Sequence, residues 1–207
     1  MIKGPIVILA NGNYPTHPIP LQKINEAEYI ICCDGAVNQL IDNGLEPNII
    51  IGDLDSIDQT MKSNYADQII CLPEQDENDL IKAIRWAESK EIKEVAILGA
   101  TGKREDHTLS NIFILLQFPT SLKCTLITDN GNFSITEGTA KFQSFNGQQI
   151  SIFSVDPEIK ITSTNLKYNL NLSKYINLYC GSLNESLTET FTLSVSHGKI
   201  LVYQVFA

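Results

Sequence analysis

The chain has 207 residues, of which 43% are hydrophobic, and it carries a formal net charge of −9 at pH 7. This hydrophobic fraction supports a buried core and excludes wholesale disorder. The charge argues against nucleic acid as a partner, because phosphate backbones require clustered Lys and Arg side chains. A membrane partner is also not expected, since no apolar run reaches the roughly 18 residues of a spanning helix.

The first 130 residues alternate short apolar runs with helical patterns. The apolar runs, which are typical of strands covered on both faces, are residues 5–10, 29–33, 48–51, 68–72, 94–99 and 124–128. Helices are predicted between them, where apolar side chains recur at helical spacing, at residues 35–44, 79–90 and 107–118. This alternation predicts a mostly parallel α/β sheet with helices on both faces, over residues 1–130.

From residue 131 onward the pattern changes to short, β-branched, alternating segments without a helical period. These segments lie at residues 148–155, 159–164, 165–172 and 188–206. In the last segment, His197 and Gly198 are predicted to form a two-residue turn between two strands. The sequence therefore predicts a small antiparallel β-sandwich or barrel over residues 131–207.

The cysteines are odd in number and lie mostly inside apolar runs: Cys32, Cys33, Cys71, Cys124 and Cys180. Reduced, buried thiols in a cytoplasmic protein fit this pattern better than a disulfide framework does. A zinc site is not expected, because no cysteine pair has ligand spacing and the three histidines are scattered.

Polar side chains follow each of the first five predicted strands. They are Asn11-Gly12-Asn13, Asp34-Gly35, Gly52-Asp53 with Asp55, residues 74–79, and the loop 99–107. Ligands of open parallel sheets bind at the carboxyl ends of the strands. We therefore expect these groups to converge at one edge of the sheet and to form the functional site.

Five aspartates crowd this predicted edge: Asp34, Asp53, Asp55, Asp76 and Asp79. Like charges repel, so the cluster is unstable without a cation, and oxygen-only ligands select a hard metal such as Mg²⁺. Two structural interpretations remain open. Asp34 and Asp79 could be helix N-caps, and Asp53 and Asp55 could be turn residues. The accumulation of carboxylates favours a magnesium site.

The loop "GATGKREDH" (residues 99–107) has the composition of a phosphate cradle. Gly99 and Gly102 free the backbone to present N–H groups, while Lys103 and Arg104 add positive charge. The loop is not a Walker A motif, which requires Ser or Thr where Arg104 stands. Facing the carboxylates, it predicts a Mg²⁺-dependent enzyme that acts on a phosphorylated ligand such as a nucleotide.

His107, at the end of this loop, has two interpretations. It could be a catalytic base, or it could be a structural residue beside Thr108 at the start of a helix. The residues alone leave both open, and they do not name the group that accepts the phosphate.

Four segments resemble, in order and spacing, the conserved blocks of thiamine pyrophosphokinases. They are "CDGAVNQL" (33–40), "EPNIIIGDLDSI" (46–57), "EQDENDLIKAI" (74–84) and "GATGKREDHTLSN" (99–111). Two later segments, "GSLNE" and "HGKILVY", resemble the C-terminal signatures of the family. The resemblance implies an α/β nucleotide-binding domain followed by a β-sandwich, a homodimer, and Mg²⁺-dependent transfer of pyrophosphate from ATP to the hydroxyl of thiamine, with release of AMP.

The resemblance also implies roles for residues by position. The catalytic positions are Asp53, Asp55, Asp79 and Arg104, of which the three aspartates are the magnesium ligands. The positions that bind the nucleotide and cofactor are Asp34, Gly52, Gln75, Asp76, Gly102, Lys103 and Asp106. For thiamine, the candidates are Tyr168, Ser182 and Asn184, which we expect near the aspartate cluster of the dimer partner.

The chain departs from the family pattern at several positions. Asn78 stands where Thr is usual, and Tyr168 where Trp is typical. Lys103 and Asn165 replace glycines, and Leu183 replaces a Ser. The nucleotide side thus matches the pattern better than the thiamine side does. Two alternative functions follow from the residues: a metal-dependent phosphohydrolase and a non-catalytic nucleotide-sensing module.

Overall fold

The computed structural model describes residues 2, 4–119, 121–172, 178 and 180–207. The chain divides into two compact units. The first unit comprises Met1–Ile114 and Ser121–Asp129, and the second comprises Leu115–Thr120 and Asn130–Ala207.

The first unit is built on a parallel sheet. Its strands are β1 (Ile6–Leu9), β2 (Tyr29–Cys33), β3 (Ile49–Gly52), β4 (Ile69–Cys71), β5 (Glu94–Leu98) and β6 (Lys123–Ile127). All strand pairs within it are parallel, in the order β6-β5-β1-β2-β3-β4. Every residue of β1 and of β3 is buried, as expected for strands covered on both faces. The predicted parallel sheet is confirmed.

The helices of this unit alternate with its strands. They are α1 (Pro18–Asn25), α2 (Ala36–Asp42), α3 (Gln59–Asn64), α4 (Asp79–Ser89) and α5 (Glu105–Phe113). The helix predicted over residues 107–118 ends at Phe113, and a 3₁₀ turn follows at Ile114–Gln117. A second 3₁₀ turn precedes β4 at Ala66–Gln68.

Helices α1 and α3 were not predicted from the sequence, and each omission has a physical reason. α1 begins with Pro18, and prolines at the start of a segment resemble a loop signal although Pro is well tolerated in a first helical turn. α3 buries none of its residues. It therefore has no apolar face and no helical period to detect.

The order of the strands places a topological switch point in this sheet. β1 pairs with β2 on one side and with β5 on the other, so the chain runs outward from β1 in both directions. The connections after β1 and β5 therefore diverge and leave a crevice at the carboxyl edge, which is where ligands bind in such sheets.

The second unit contains antiparallel strands. They are β7 (Gly131–Gln143), β8 (Gln149–Phe153), β9 (Ile161–Thr164), β10 (Asn171–Leu172), β11 (Gly181–Glu185) and β12 (Thr190–Val205). β12 pairs with β7 along its length, and its other edge pairs first with β9 and then with β8. The core between these strands includes Ile152, Ile161, Phe191, Leu193 and Val202.

The predicted turn at His197 and Gly198 is wrong, because β12 is continuous through both residues. The pairing with β7 shifts there, from Ser194 opposite Thr139 to Lys199 opposite Glu137, which makes a bulge rather than a hairpin. Buried side chains resume after the bulge, at Ile200, Leu201 and Val202. A bulge and a short hairpin therefore give similar sequence patterns.

The strand predicted over residues 165–172 is mostly wrong. Only Asn171–Leu172 pairs as a strand, and Leu166 makes an isolated bridge to Ser186. Asn165 adopts a left-handed backbone with φ of +63°, a conformation that interrupts a strand.

Two further expectations from the sequence concern the burial of the cysteines and the absence of a membrane-spanning helix. Cys32, Cys33 and Cys124 are buried as predicted, whereas Cys71 and Cys180 are exposed. Cys71 ends the short strand β4, which pairs only with β3 among the described residues, so its side chain is not covered. In the part of the chain that the structure describes, no helix has the length and apolar character needed to cross a membrane.

Candidate active site

A cavity of about 480 Å³ opens at the carboxyl edge of the parallel sheet. Its walls come from the segments that follow β1 to β5, including the first turns of α4 and α5. Its ionisable lining residues are Asp34, Asp53, Asp55, Glu77, Asp79, Lys82, Lys103, Arg104 and His107. The structure thus brings together most of the polar groups that follow the predicted strands.

Asp34 lies at the floor of this cavity, directly after β2, and is 2% exposed. Its Oδ2 accepts a hydrogen bond from the N–H of Ser56 at 3.2 Å. Its Oδ1 is buried and has no hydrogen-bond partner among the described residues. Burying a carboxylate oxygen without a partner is costly, so this atom marks a position where a ligand is expected.

The turn after β3 carries Asp53 and Asp55. Oδ1 of Asp53 accepts the N–H of Asp55 at 3.2 Å, and its Oδ2 accepts Nε2 of Gln75 at 2.7 Å. Leu54, between the two aspartates, has a left-handed φ of +69° and is buried. The turn therefore directs the apolar side chain inward and leaves the carboxylates at the cavity.

Three carboxylates converge in this cavity. One oxygen from each of Asp34, Asp53 and Asp55 lies within 4.8 Å of the others. Gly52 makes the approach possible, since a Cβ there would lie 2.8 Å from Cβ of Asp34 and 3.1 Å from Oδ1 of Asp79. Hard oxygen donors at this spacing, with the unpartnered Oδ1 of Asp34 beside them, fit a divalent cation such as Mg²⁺.

Asp79 is held differently from the other aspartates. Its Oδ1 lies 3.3 Å from Nζ of Lys82, one turn later on α4. Lys82 is 6% exposed and also donates to the carbonyl oxygen of Leu72 at 2.8 Å, at the end of β4. This buried ammonium therefore ties the loop before α4 to the helix and lies beside the acidic cluster.

Neither Asp34 nor Asp79 is a helix N-cap. The cap of α4 is Asn78, whose Oδ1 accepts the N–H of Ile81 at 3.0 Å. The residue at the cap of α2 is Gly35, and no side-chain capping hydrogen bond to this helix is found among the described residues. Capping therefore does not explain either carboxylate.

Burial raises the pKa of Asp34 to about 6, and the charges of Asp79, Asp55 and Asp53 add to this shift. The pKa of an exposed aspartate is ordinarily 3.8. A pKa that is raised on folding contributes stability below pH 3.8, and this contribution is lost as the pH rises through about 6. At neutral pH the ionised cluster therefore destabilises the metal-free fold, and a bound cation would offset that cost.

The neighbouring carboxyls show opposite shifts. Burial raises the pKa of Asp79, and the ion pair with Lys82 opposes that effect. The hydrogen bond from Gln75 lowers the pKa of Asp53, with a smaller contribution from the N–H of Asp55. Gln75 therefore keeps Asp53 ionised and available to a cation.

The glycine loop after β5 is joined to the segment after β1. The N–H of Gly12 donates to the carbonyl of Gly99 at 2.6 Å, and the N–H of Asn13 donates to that of Thr101 at 2.8 Å. A Cβ at Gly12 would lie only 2.3 Å from the Thr101 carbonyl oxygen. The two segments thus close one side of the crevice at the switch point.

Two residues of this loop have well-defined partners. Lys103 Nζ donates to Oδ1 of Asn11 at 2.9 Å, which places its charge at the end of β1. The N–H of Gly102 donates to Oγ1 of Thr108 at 3.1 Å. Gly102 therefore contributes backbone shape, and the positive charge at the cavity comes from side chains.

Arg104 forms a two-point ion pair with Asp106. Nε lies 3.1 Å from Oδ1 and Nη2 lies 2.5 Å from Oδ2. Both side chains are exposed. Hydrogen bonding to Asp106 raises the pKa of Arg104, and the same bond lowers the pKa of Asp106 to about 2. The pair occupies one edge of the guanidinium and leaves its Nη1 donors for a ligand.

The remaining predicted residues take varied positions. Asp76 is exposed and does not line the cavity, and no contact that places it at the cluster is found among the described residues. His107 lies in the first turn of α5 and lines the cavity. Sequence reasoning missed Lys82, whereas Asn11, which was expected at this edge of the sheet, does line the cavity. The Asp79–Lys82 spacing of three residues was a usable signal for Lys82.

The comparisons with known proteins match both parts of the chain. Residues 21–127 match the family model described as "Thiamin pyrophosphokinase, catalytic domain", and residues 131–203 match "Thiamin pyrophosphokinase, substrate-binding domain". The chain belongs to the thiamin pyrophosphokinase family. The resemblance found in the sequence is therefore confirmed.

Individual members of this family are similar over most of their length. Thiamin pyrophosphokinase 1 of Caenorhabditis elegans is 29% identical over 85% of this chain and 79% of its own length. Thiamine pyrophosphokinase of Bacillus subtilis (strain 168) is 31% identical over 80% of this chain and 81% of its own.

A solved structure confirms the fold class. The crystal structure of thiamine pyrophosphokinase from Bacillus subtilis superposes with a TM-score of 0.82 at 25% identity, covering 98% of this chain and 99% of that one. The predicted combination of an α/β sheet with a C-terminal β-sandwich is therefore the fold of the thiamin pyrophosphokinase family.

Three departures from the family pattern occur at left-handed backbone positions. Lys103 and Asn165, which replace glycines, have φ of +58° and +63°, and Leu183 has φ of +57°. Glycine adopts this conformation without strain, whereas other residues cost roughly 1–2 kcal/mol there. A glycine would avoid this strain at either position, and Lys103 places a side chain at the cavity despite it.

The predicted thiamine residues are grouped in the second unit. Asn184 is buried and holds Tyr168 by two hydrogen bonds: the N–H of Tyr168 donates to Oδ1 at 3.1 Å, and Nδ2 donates to the Tyr168 carbonyl at 2.7 Å. The ring of Tyr168 is 61% exposed, with Nζ of Lys167 5.9 Å from its centroid. Ser182 is half-buried in β11. Asn184 thus holds the backbone of Tyr168 in place, while the ring of Tyr168 remains exposed to solvent.

We expect Lys82→Met to lower the free energy of unfolding of the metal-free protein by about 1–3 kcal/mol, because it leaves the Asp79 carboxylate and the Leu72 carbonyl without their shared donor. Urea unfolding in the presence of a chelator measures this change. The exposed Lys93→Met is the matched control. In the Asp79→Asn background, Lys82→Met should lower the free energy of unfolding by less. An equal loss in both backgrounds would show that Asp79 and Lys82 do not stabilise each other.

Proposed function

We propose that this chain transfers a pyrophosphoryl group from ATP to the hydroxyl of thiamine, giving thiamine diphosphate and AMP. The observation that carries this proposal is the cavity at the switch point, where a carboxylate cluster faces a glycine loop with Lys103 and Arg104. A nucleotide with its phosphates and a hard cation requires both kinds of group at one site. Membership of the family names the acceptor.

In the proposed reaction, the hydroxyl oxygen of thiamine attacks the β-phosphorus of ATP. A new P–O bond forms as the bond from the β-phosphorus to the α–β bridging oxygen breaks, and AMP leaves with that oxygen and its electron pair. The hydroxyl proton passes to a carboxylate of the cluster. Catalysis of this type consists mainly of positioning and charge stabilisation.

The roles of the residues in the first unit follow from their contacts. Asp53, Asp55 and Asp79 are proposed to hold Mg²⁺, which supplies neutralisation of phosphate charge when bound. Arg104 is proposed to bind phosphate oxygens through the guanidinium edge that Asp106 leaves open.

The supporting residues are proposed to shape the nucleotide site. Gln75 keeps Asp53 oriented and ionised, and Lys103 adds a charge beside Asn11. Gly52 and Gly102 allow the close backbone approach that the cavity requires. The role of Asp76 rests on the family resemblance alone.

We further propose a division of labour along the chain. Residues 1–130 bind the nucleotide and metal, and residues 131–207 bind thiamine and form a homodimer. Thiamine is a flat aromatic cation, and such a ligand binds well against an aromatic face. The ring of Tyr168 is exposed, which supports this assignment. The buried thiols Cys32, Cys33 and Cys124 support a cytoplasmic location.

The direct test is incubation of the protein with ATP, Mg²⁺ and thiamine, followed by separation of the products. We expect equal amounts of AMP and thiamine diphosphate. Release of inorganic phosphate without thiamine would instead indicate a metal-dependent phosphohydrolase. ATP binding with no turnover, with or without thiamine, would indicate a nucleotide sensor.

We expect Tyr168→Ala to raise the KM for thiamine much more than the KM for ATP, because the ring is proposed to bind only the acceptor. Steady-state kinetics with each substrate varied in turn measures the two constants. Leu187→Ala is the matched control, since Leu187 is also an exposed apolar residue of the second unit. Equal changes in both KM values would contradict a role in thiamine binding.

The shared-site homodimer has its own test. Asp55→Asn and Tyr168→Ala subunits, each defective alone, should recover activity at low thiamine when mixed and allowed to exchange. A mixed dimer contains one site with both an intact carboxylate cluster and an intact Tyr168. No recovery in a mixture shown to contain mixed dimers would contradict the sharing of sites.

A further inference from the structure

We propose that Asp34 is a direct ligand of the divalent cation in the nucleotide-free protein, together with Asp53 and Asp55, while Asp79 remains paired with Lys82. The inference rests on the proposed function only in taking a divalent cation as the ligand of the cavity. It assigns the first binding step to a different set of carboxylates from the one that the family resemblance implies.

The Asp34 side chain is buried and only partly hydrogen-bonded. The residue is 2% exposed, and its Oδ1 has no hydrogen-bond partner within the described ranges of the chain. Its Oδ2 has a single N–H donor, from Ser56. A carboxylate buried to this extent normally has several donors or a cation, and a metal ion would complete the coordination of Oδ1.

The three carboxylates are close enough together to share one cation. Oxygens from Asp34, Asp53 and Asp55 all lie within 4.8 Å of one another. Metal–oxygen distances of about 2.0–2.6 Å allow one cation to contact oxygens at such separations. Asp34 directly follows β2, and Asp53 and Asp55 lie in the turn after β3, the strand paired with β2. The sheet therefore sets the points from which the three side chains approach one another.

Asp79, in contrast, is already paired with the ammonium group of Lys82. Nζ of Lys82 lies 3.3 Å from Oδ1 of Asp79 and is anchored by the carbonyl of Leu72. The ammonium is almost fully buried, so releasing Asp79 would leave an unpaired buried charge. Asp34 has no such partner among the residues described, so it is the carboxylate that gains most from a metal.

A purely structural role for Asp34 does not account for these contacts. The side chain does not cap α2, and its one hydrogen bond to Ser56 needs only a single acceptor oxygen. An asparagine would accept the same bond, and its amide group would donate to the neighbouring carboxylates instead of repelling them. The sequence nevertheless retains a carboxylate at the most buried position of the cluster.

The test measures Mn²⁺ affinity by electron paramagnetic resonance, in the absence of nucleotide and thiamine. The proteins compared are the wild type and the variants Asp34→Asn, Asp79→Asn and Glu74→Gln. Loss of a direct ligand should weaken binding at least about tenfold, which is the lower bound for loss of an outer-shell partner. We expect this for Asp34→Asn only. Glu74→Gln removes one exposed negative charge from the same edge and controls for net charge.

Thermal unfolding gives an independent readout. Asp34→Asn should melt at a higher temperature than the wild type in a chelator, because a repulsion is removed, and should lose the rise in melting temperature that Mg²⁺ gives the wild type. Retention of that rise, or Mn²⁺ affinity equal to that of the wild type, would overturn the proposal. Loss of binding in Asp79→Asn with retention in Asp34→Asn would also overturn it.

The test of Asp34 as a metal ligand and the test of the proposed function can fail independently of each other. The binding measurements use neither ATP nor thiamine, so a negative result leaves the transferase reaction standing. Conversely, absence of thiamine diphosphate in the turnover assay leaves the assignment of Asp34 as a metal ligand intact.

Discussion

Asp55→Asn should reduce turnover by at least about a hundredfold while leaving the protein folded. Asp55 is exposed and belongs to the three-carboxylate cluster, so its charge serves the cation rather than the core. Loss of a ligand should exceed the ten- to hundredfold effect that is usual for the partners of ligands. The amide oxygen can still accept the Ser56 hydroxyl, which Asp55 accepts at 2.9 Å, so the turn should keep its shape.

The measurement is turnover at several Mg²⁺ concentrations, with thermal unfolding in a chelator as the check on folding. We expect the deficit to shrink as Mg²⁺ is raised, because weaker binding is partly offset by concentration. In the chelator the variant should be at least as stable as the wild type, since one charge of a repelling group is removed. Near-normal activity at low Mg²⁺ would rule out a metal role for Asp55, and Glu74→Gln controls for charge.

The parallel sheet could be predicted from the sequence because its central strands are buried on both faces. Continuous runs such as residues 49–52 and 94–98 give a strong and local signal. The position of the site followed from the same signal, since the carboxyl ends of parallel strands share one edge. What could be predicted was therefore the set of segments that meet at the cavity.

The second unit was less predictable because its strands are long and irregular. β7 spans Gly131–Gln143, and Gly138 in its middle, with φ of +63°, suggests a break rather than a strand. The bulge in β12 lies opposite this glycine. Only the pairing of two long strands decides between a bulge and a turn, and that pairing is not local information.

Within the site, the residue types were predictable but their pairings were not. Asp34, Asp53, Asp55 and Asp79 were all expected at the edge of the sheet, yet no sequence pattern separates Asp79 from the others. That separation depends on Lys82, whose burial comes from the packing of α4 against β2 and β3. Burial of a lysine is rare, so a sequence pattern assigns such a residue to the surface.

Arg104→Ala should lower kcat by about a hundredfold or more, as the loss of a donor to a developing charge does in other enzymes. The guanidinium is held by Asp106 through Nε and Nη2, so its remaining edge is presented in a fixed orientation. Steady-state kinetics measures the effect. Arg85→Ala is the matched control, because Arg85 is the other arginine of the chain and is also exposed in a carboxylate pair.

Arg104→Lys should restore only part of the lost activity. An ammonium carries the same charge but cannot bond Asp106 at two points while donating to two phosphate oxygens. Asp106→Asn, which frees the guanidinium from its partner, should reduce kcat less than Arg104→Ala, because the charge remains but its orientation is lost. Full activity in Arg104→Lys would assign Arg104 a general electrostatic role, and full activity in Asp106→Asn would show that the ion pair does not orient it.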